Sequence, residues 1–333
     1  MGNFGTVLVL GATGGIGGEV ARQLRDAGWQ VRALRRAADQ PTEQKDGITW
    51  VRGDALNRED VFAAAKGCSV IVHAVNPPGY RRWSELVLPM LDNTIAAAAA
   101  EHATVVLPGT VYNFGPDAFA RVTEQSPQNP VTRKGAIRVE MERRLKAFSA
   151  ARGRVLIVRA GDFFGPKARN NWFSQGLIKP GLPVTKITYP GVPGVGHQWA
   201  YLPDVARTIV ELLARRDSLE RFATFHMKGH WDHDGAQMTR AIQRVVARRT
   251  GVEPTVAAFA WWFIRLAAPF VTTFREMLEM RYLWRAPVRM DNAPLIGLIG
   301  AEPHTSLDQA VERSLIGLGC LDASETQSAE QRC

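Results

Sequence analysis

The sequence predicts an α/β fold with a doubly wound parallel sheet and a smaller, mainly helical C-terminal lobe. In the first half of the chain, short β-branched runs alternate with helical patterns, which is typical of βαβ units. A glycine-rich stretch, GATGGIG at 11–17, joins the first of these runs to a helical pattern. Beyond residue 160 the pattern changes, and glycine and proline crowd residues 176–196.

Six short apolar runs are the predicted strands of the sheet. Several are almost continuously apolar, as expected for strands that helices cover on both faces. The predicted strands are 6–10, 30–34, 48–51, 70–73, 104–107 and 154–158. The predicted helices between them are 15–27, 57–66, 84–102 and 135–150. A short strand at 199–202, a helix at 203–216 and a strand at 223–227 follow, and the remainder is predicted to be mostly helical.

The change of pattern also indicates the domain organisation. Residues 1–165 and 199–228 are assigned to a domain that holds the sheet, and residues 166–198 and 229–333 to a lobe that would hold a substrate. The chain has 333 residues, of which 46% are hydrophobic and 22% charged. This length and composition are sufficient for one large domain with an added lobe.

The charge balance restricts the partners. A formal net charge of +9 favours anionic molecules such as phosphorylated cofactors. The basic residues are scattered, many as Arg–Arg pairs, and no nucleic-acid motif accompanies them, so no nucleic-acid partner is predicted. The histidines and aspartates at 226–234 match no zinc spacing, and no metal site is predicted. Three widely spaced cysteines and the lack of a signal-like N-terminus favour a cytoplasmic protein.

The glycine-rich stretch predicts a phosphate-binding turn. Its glycines follow a GxxGxxG spacing between a predicted strand and a predicted helix. Glycines permit the tight turn and a close approach of the backbone to a pyrophosphate, and the start of the helix supplies free N–H groups. The predicted cofactor-binding residues in this turn are Gly11, Thr13, Gly14, Gly15, Ile16 and Gly17.

The end of the second predicted strand indicates which dinucleotide is bound. An acidic residue at that strand end would accept a hydrogen bond from the ribose 2′-hydroxyl group of NAD. The sequence VRALRRAAD instead places Arg35 and Arg36 there. Because an arginine can bind a 2′-phosphate through paired hydrogen bonds, NADP is predicted in preference to NAD. The alternative is that these arginines are solvated loop residues.

Two further segments are predicted to border the cofactor. Asp54 follows the third strand, where an acid often meets the adenine amino group, and Ala55 lies beside it. A helix-capping role is the alternative for Asp54. After the fourth strand, the predicted cofactor-binding residues are Ala74, Val75 and Asn76.

These motifs resemble the short-chain dehydrogenase/reductase superfamily in its extended or atypical branch, which includes NAD-dependent sugar epimerases and dehydratases. The matching segments are GATGGIG, GD (53–54), VIVHAVNPP (70–78), TVYNFGP (110–116), the prolines at 127 and 130, RAGDFFGP (159–166) and WAYLPDVA (199–206). The resemblance covers about residues 5–228. It implies a Rossmann fold for the sheet domain.

The resemblance also implies a catalytic set of serine or threonine, tyrosine and lysine, which this chain lacks. The tyrosine and lysine positions hold Lys134 and Arg138, and the serine position holds Pro108. We therefore predict Thr110, Tyr112 and Lys134 as the catalytic residues and Arg138 as a ligand of the nicotinamide ribose. The alternative for Lys134 is an exposed lysine at the start of a helix. The alternative for Tyr112 is a packed aromatic residue after a strand.

Asp162 and His197 are the predicted substrate-binding residues. Asp162 follows the sixth strand, at the edge of the sheet where ligands bind. Sugar-nucleotide enzymes often carry an arginine near the place of His197, so the histidine favours a different substrate. The apolar segment 255–271 is expected to wall an apolar pocket or to form a dimer seam, with a helix on a membrane surface as the remaining alternative.

Three functions fit these residues. The first is an NADPH-dependent oxidoreductase that acts on a small, fairly apolar carbonyl compound. The second is a non-catalytic NADP-sensing or regulatory protein, which the missing catalytic set favours. The third is an NAD(P)-dependent sugar epimerase or dehydratase, which the arginines after the second strand and the missing tyrosine both disfavour.

Overall fold

The computed structural model describes residues 4–37, 40–77 and 82–323, and its chain divides into two compact units. The first unit runs to Gly161 and includes Leu202–Lys228 and Val288–Pro303, and the second holds the other residues. These bounds differ from the predicted domain ranges at 162–165, 199–201 and 288–303. The ends of the predicted ranges, 1–3 and 324–333, lie outside the described residues.

The strands and helices alternate through most of the first unit. In chain order the strands are β1 (Thr6–Leu10), β2 (Gln30–Arg35), β3 (Thr42–Lys45), β4 (Ile48–Arg52), β5 (Val70–His73), β6 (Thr104–Thr110), β7 (Arg154–Ala160), β8 (Asp162–Phe164), β9 (Lys186–Tyr189), β10 (His197–Tyr201), β11 (Phe222–His226), β12 (His230–Asp232) and β13 (Thr255–Ala258). The helices are α1 (Gly15–Asp26), α2 (Arg58–Ala65), α3 (Trp83–Glu101), α4 (Arg133–Ala150), α5 (Leu202–Ala214), α6 (Gln237–Thr250), α7 (Trp261–Ala267), α8 (Thr272–Glu279), α9 (Ala293–Ile299) and α10 (Leu307–Gly317).

An eight-stranded sheet forms the centre of the first unit. Its strand order is β11-β7-β6-β5-β1-β2-β4-β3. All neighbours are parallel except β3, which is antiparallel to β4. The order reverses between β1 and β5, so the crevice at their carboxyl ends is the place where such sheets bind ligands. The doubly wound parallel sheet predicted from the sequence is therefore confirmed.

Burial explains why these runs form central strands. Every residue of β5 and β6 is buried, as are four of the five residues of β1. Helices α2, α3 and α4 pack on this sheet through Val61, Leu91 and Leu145, which belong to one hydrophobic core. Strands that are covered on both faces remove a large apolar area from water. This burial stabilises the fold by about 25 cal/mol per Å² of apolar surface.

The second unit has two small sheets and several helices. Strand β10 lies between β8, to which it is parallel, and β12, to which it is antiparallel. Strands β9 and β13 form a separate parallel pair. Its hydrophobic core contains Trp199 and Trp284 together with apolar residues of α6 and α10. The predicted helical C-terminal region is present, but β12 and β13 interrupt it.

Five strands were not predicted. Strands β3, β8, β9, β12 and β13 contain only three or four residues each. Such short runs carry little periodic signal, and β3 reads TEQK with one partly buried residue. The first four residues of the apolar segment 255–271 form strand β13. Within the described part of the chain, no helix is both long and apolar enough to cross a membrane.

Candidate cofactor site and candidate active site

The glycine turn lies at the switch point of the main sheet. Gly11 follows β1 with φ +87°, a conformation that favours glycine. A Cβ atom on Gly11 would lie 2.5 Å from the carbonyl oxygen of Ala74, which follows β5. A Cβ atom on Gly17 would lie 2.3 Å from the carbonyl oxygen of Gly11. Only glycines fit these two positions, because the backbones of the turn, of α1 and of the segment after β5 meet there.

The N-terminus of α1 is open to an anion. Its N-cap residue is Gly14, which provides no side-chain hydrogen bond, and the first turn contains no acidic residue. The first N–H groups of a helix have no partner within the helix, and the helix dipole adds positive potential there. Thr13 and Gly14 are exposed, and Gly15 and Ile16 are half-buried. This cradle fits a pyrophosphate group in the manner the sequence predicts.

The arginines after β2 have different surroundings. Arg35 forms an ion pair with Glu43 of β3, and its guanidinium group lies over the Trp50 ring at 5.1 Å. Arg36 is exposed. A phosphate bound at Arg35 would therefore have to share that side chain with Glu43. The sequence did not reveal this competitor, because β3 was not predicted.

Asp54 organises a turn before α2. Its Oδ1 atom accepts a hydrogen bond from the Leu56 N–H at 3.0 Å, while its own N–H donates to Asp60 at 2.8 Å. The cap of α2 is Asn57, whose side chain accepts from the Asp60 N–H at 3.0 Å. Ala55 is buried, and its carbonyl oxygen accepts from Asn93. After β5, Ala74 and Val75 are half-buried and Asn76 is exposed.

The predicted catalytic residues lie on two segments that touch. Thr110 ends β6, and its hydroxyl accepts from the Tyr112 N–H at 3.3 Å. The turn containing Tyr112 contacts the start of α4, where a Cβ atom on Gly135 would lie 2.2 Å from the Tyr112 carbonyl oxygen. Lys134 precedes that glycine and is only 3% exposed, so it is not the exposed lysine of the structural alternative. Thr132 caps this helix by accepting from the Gly135 N–H at 2.9 Å.

Arg138 is buried one turn further along α4. Its guanidinium carbon lies 5.4 Å from the centre of the Trp83 ring, at the start of α3. Burial, followed by the positive charge of Arg138, lowers the pKa of His73 at the end of β5 to about 3. The carboxyl end of β5, the start of α3 and α4 thus form one buried neighbourhood around Arg138.

His73 has a defined hydrogen-bonding state. Its Nδ1 atom lies 2.8 Å from the hydroxyl oxygen of Thr94, and that hydroxyl donates to the Met90 carbonyl oxygen. The hydroxyl proton is used in this way, so Nδ1 is the donor and Nε2 carries the lone pair. Nε2 is buried and has no hydrogen-bond partner among the described residues. The ring is therefore neutral and presents an unused acceptor.

A buried ionic network lies at the carboxyl ends of β7 and β11. Arg159 donates through Nε to Glu142 Oε1 at 2.9 Å and through Nη2 to Glu142 Oε2 at 2.5 Å. A third donor of Arg159, Nη1, lies 2.7 Å from Nε2 of His226. Burial and then the Arg159 charge lower the pKa of His226 to about 3. His226 is therefore neutral and accepts from the guanidinium group.

Glu124 extends this network to the backbone. Its Oε1 atom accepts from the His226 N–H at 2.8 Å, whereas its buried Oε2 has no partner among the residues the structure describes. Burial raises the pKa of the Glu124 carboxyl group. This network was not predicted from the sequence. The only signal was Arg159 in the RAGDFFGP motif, and the spacing of its partners carries no pattern.

The two predicted substrate residues are brought together in the second unit. His197 Nε2 lies 3.0 Å from Oδ2 of Asp162, and His197 Nδ1 lies 3.2 Å from the Leu283 carbonyl oxygen. Both ring nitrogens of His197 therefore have an oxygen partner within hydrogen-bond distance. The ring stacks on Trp284, with the ring centres 3.9 Å apart.

The sheet order, the glycine turn at its switch point and the open start of α1 define a Rossmann-type dinucleotide-binding fold. The chain belongs to the NAD dependent epimerase/dehydratase family, whose model matches residues 7–227. The family assignment inferred from the motifs is thus confirmed.

Curated relatives match parts of the chain. An uncharacterized protein, y4nL, from Sinorhizobium fredii is 31% identical over 202 residues, which is 54% of this chain and 56% of that protein. A putative dihydroflavonol 4-reductase from Synechocystis is 42% identical over 78 residues, or 23% of this chain and 22% of that protein. The chain thus spans about half of the first relative and about a fifth of the second.

Solved structures match over nearly the whole chain. MoeE5 in complex with UDP-glucose and NAD has a TM-score of 0.70 at 20% identity, covering 95% of this chain and 98% of that one. UDP-glucose 4-epimerase from Bifidobacterium longum, in complex with NAD+ and UDP, has a TM-score of 0.68 at 12% identity, covering 93% and 97%. At these identities the likeness shows a shared fold.

Proposed function

We propose that the protein is an NADPH-dependent oxidoreductase that acts on a small, fairly apolar carbonyl compound. The observation that carries this proposal is the turn at the switch point, where Gly11 and Gly17 fit only as glycines and the start of α1 is uncapped. Such a cradle suits the pyrophosphate of a dinucleotide. Similar folds were solved with NAD bound, which supports a nicotinamide dinucleotide as the cofactor class.

NADP is proposed as the preferred dinucleotide. Arg36 is exposed and free to meet a 2′-phosphate, whereas Arg35 would first have to loosen its pair with Glu43. Replacing Glu43 by alanine should therefore strengthen NADPH binding, because it releases Arg35. The affinity for NADH should change little. An equal change for both dinucleotides would argue against the 2′-phosphate assignment.

The bound dinucleotide would supply the hydride for the reduction. The protein's own task is then to hold the substrate oxygen and to provide a proton as negative charge develops on it. Lys134 is the proposed proton donor, because it is buried beside the Tyr112 turn. The Thr110 and Tyr112 hydroxyl groups are proposed hydrogen-bond donors to the same oxygen, and Arg138 is proposed to hold the ribose.

The second unit supports an apolar substrate. His197 is flanked by the Trp284 and Trp199 rings, with ring centres at 3.9 Å and 4.8 Å. Aromatic rings present large apolar faces with few polar groups, so a ligand beside His197 would have apolar substituents. Asp162 and His197 remain the substrate-binding residues predicted from the sequence.

Cofactor binding is tested with a substitution that preserves the helix. Gly14→Asp adds a side chain that can cap α1 and at the same time places a negative charge where the pyrophosphate is proposed to bind. We expect NADPH binding, followed by fluorescence, to weaken by at least about tenfold. Gly297→Asp is the control, because it makes the same charge change in open space. Unchanged affinity in the Gly14 variant would remove the cofactor site.

Catalysis is tested at Lys134. Consumption of NADPH would be followed with a panel of small aldehydes and ketones. Conversion of UDP-glucose, the sugar-nucleotide alternative, would be followed separately by analysis of the sugar product, because an epimerase or dehydratase regenerates its cofactor. Lys134→Gln should lower kcat by about 10² or more, the usual contribution of a proton donor. Lys146→Gln removes an exposed lysine from the same helix and should leave kcat unchanged. Wild-type turnover in Lys134→Gln would eliminate the lysine mechanism.

A non-catalytic NADP-binding protein is the second candidate. The observation in its favour is that all three positions of the usual catalytic set are replaced, by Pro108, Lys134 and Arg138. This candidate predicts tight NADPH binding without turnover of any compound in the panel. Turnover of UDP-glucose would instead favour the epimerase or dehydratase alternative.

A further inference from the structure

The three most exposed large apolar side chains among the described residues lie close together in the sequence of the second unit. They are Phe270, Leu266 and Trp262, which are 89%, 68% and 66% exposed. Phe263 and Val271 are exposed beside them, at 50% and 38%. We call these five residues the apolar ridge. They come from α7 and from the turn that leads into α8.

The opposite side of α7 is anchored in the protein. Ile264 and Ala268 are buried, at 6% and 5% exposure. Trp261 donates from its indole N–H to the Pro190 carbonyl oxygen at 2.8 Å and contacts the Trp172 ring. Ile264, Ala268 and Trp261 thus hold α7 against the rest of the second unit. Because these residues face inward, the ridge residues face solvent.

The ridge exposes a large apolar area. An aromatic side chain offers about 150–250 Å², so the exposed fractions above amount to an apolar area on the order of 500 Å². This value reaches the range of the largest patch on a typical monomer, and patches of that size usually have a function. Scattered exposure of single residues does not explain it.

Positive charge borders the ridge. From residue 254 to residue 285, four arginines and two glutamates, Glu276 and Glu279, leave a net charge of +2, and Arg265 and Arg275 are exposed. Arg281 and Arg285 follow, and the pKa of Arg281 is lowered by burial and then by the charges of Arg285 and Arg265. Three arginines therefore repel one another next to the ridge, and an anionic partner would relieve that repulsion.

A second copy of the chain fits this surface poorly. In a two-fold dimer the same patch meets itself, so Arg265 and Arg275 would face their own counterparts. The nearest carboxylates along the chain are Glu253, Glu276 and Glu279, and arginines outnumber glutamates four to two between residues 254 and 285. An anionic lipid surface satisfies both features, since it accepts apolar and aromatic side chains below its phosphates and binds arginines at them.

We propose that the apolar ridge docks the protein onto an anionic lipid bilayer, with the ridge in the headgroup region and the arginines against the phosphates. None of the ridge residues is among the residues proposed for cofactor binding or catalysis. The contact is a peripheral one, made by a short helix lying at the surface.

The test is sedimentation of the full chain with lipid vesicles. Vesicles of phosphatidylcholine alone would be compared with vesicles that also contain phosphatidylserine, at low and high salt. We expect binding to the anionic vesicles that weakens as salt rises. The double variant Leu266→Ser with Phe270→Ser should bind at least about tenfold more weakly. Arg265→Gln with Arg275→Gln should lose a similar factor on anionic vesicles only.

The control is Leu182→Ser with Val252→Ser, which removes two exposed apolar side chains of the second unit outside the ridge, at 54% and 56% exposure. This control should bind vesicles like the wild type. All substituted residues are exposed, so the thermal melting of each variant should match the wild type. Absence of wild-type binding, or an equal loss in the control, would overturn the proposal. A third outcome would also overturn the proposal. In that case the wild type does not bind vesicles, sedimentation velocity shows it to be a dimer, and the ridge variant is a monomer.

Discussion

Removal of the Glu142 carboxylate is expected to destabilise the protein strongly. Glu142 lies on α4 and receives two hydrogen bonds from Arg159 of β7, at 2.9 Å and 2.5 Å. The two side chains are only 6% and 3% exposed. In Glu142→Ala the guanidinium group keeps its charge and its burial but loses its counter-ion.

The magnitude follows from that burial. Breaking a buried ion pair by removing one partner costs about 3–5 kcal/mol, most of it the cost of the stranded charge. Glu140, two residues earlier on the same helix, provides the comparison. It also pairs with arginines, Arg143 and Arg144, but its side chain is 29% exposed. In Glu140→Ala, water can solvate the guanidinium groups of Arg143 and Arg144. The free energy of unfolding should therefore fall by less than about 1 kcal/mol.

Urea unfolding followed by circular dichroism measures the difference. Glu142→Ala should lower the free energy of unfolding by about 3–5 kcal/mol with an unchanged slope. Replacing both Glu142 and Arg159 by leucine should recover much of the loss, because no charge then remains buried. Equal effects of Glu142→Ala and Glu140→Ala would refute the reasoning.

Three other outcomes follow from the geometry. The pKa values of His73 and His226 are lowered from 6.5 to about 3, so the folded state binds fewer protons than the unfolded chain between these values. Stability should therefore fall as pH drops through that window, by up to roughly 1.4 kcal/mol per histidine per pH unit, and His226→Gln should flatten the unfolding free energy measured against pH. Gly17→Ala should lower the melting temperature, because its Cβ would lie 2.3 Å from a backbone oxygen; an unchanged melting temperature would contradict the close approach. Asp162→Leu removes the hydrogen-bond partner of His197 Nε2 and should cost about 1–3 kcal/mol in urea unfolding, whereas a neutral result would mean that the pair contributes nothing.

Local patterns were sufficient for the parts of the fold that depend on neighbouring residues. The central strands are apolar runs, the turn before α1 needs glycines at fixed intervals, and the replacement of a tyrosine by Lys134 is visible in the sequence itself. Each of these features involves residues within a few positions of one another. The structure adds three observations about these residues. They are the order of the strands, the burial of Lys134 and the contact between its helix and the Tyr112 turn.

Other features depend on which distant residues the fold brings together. The partners of Arg159 lie 17 and 67 positions away, and no periodicity marks them. Glu43 meets Arg35 only because a four-residue polar segment pairs with β4. The sequence by itself determined that residues 255–271 are apolar, but only the tertiary structure decided which of their side chains face solvent. The reason is physical: hydrophobicity belongs to a residue, whereas burial and charge pairing belong to the surfaces that packing brings into contact.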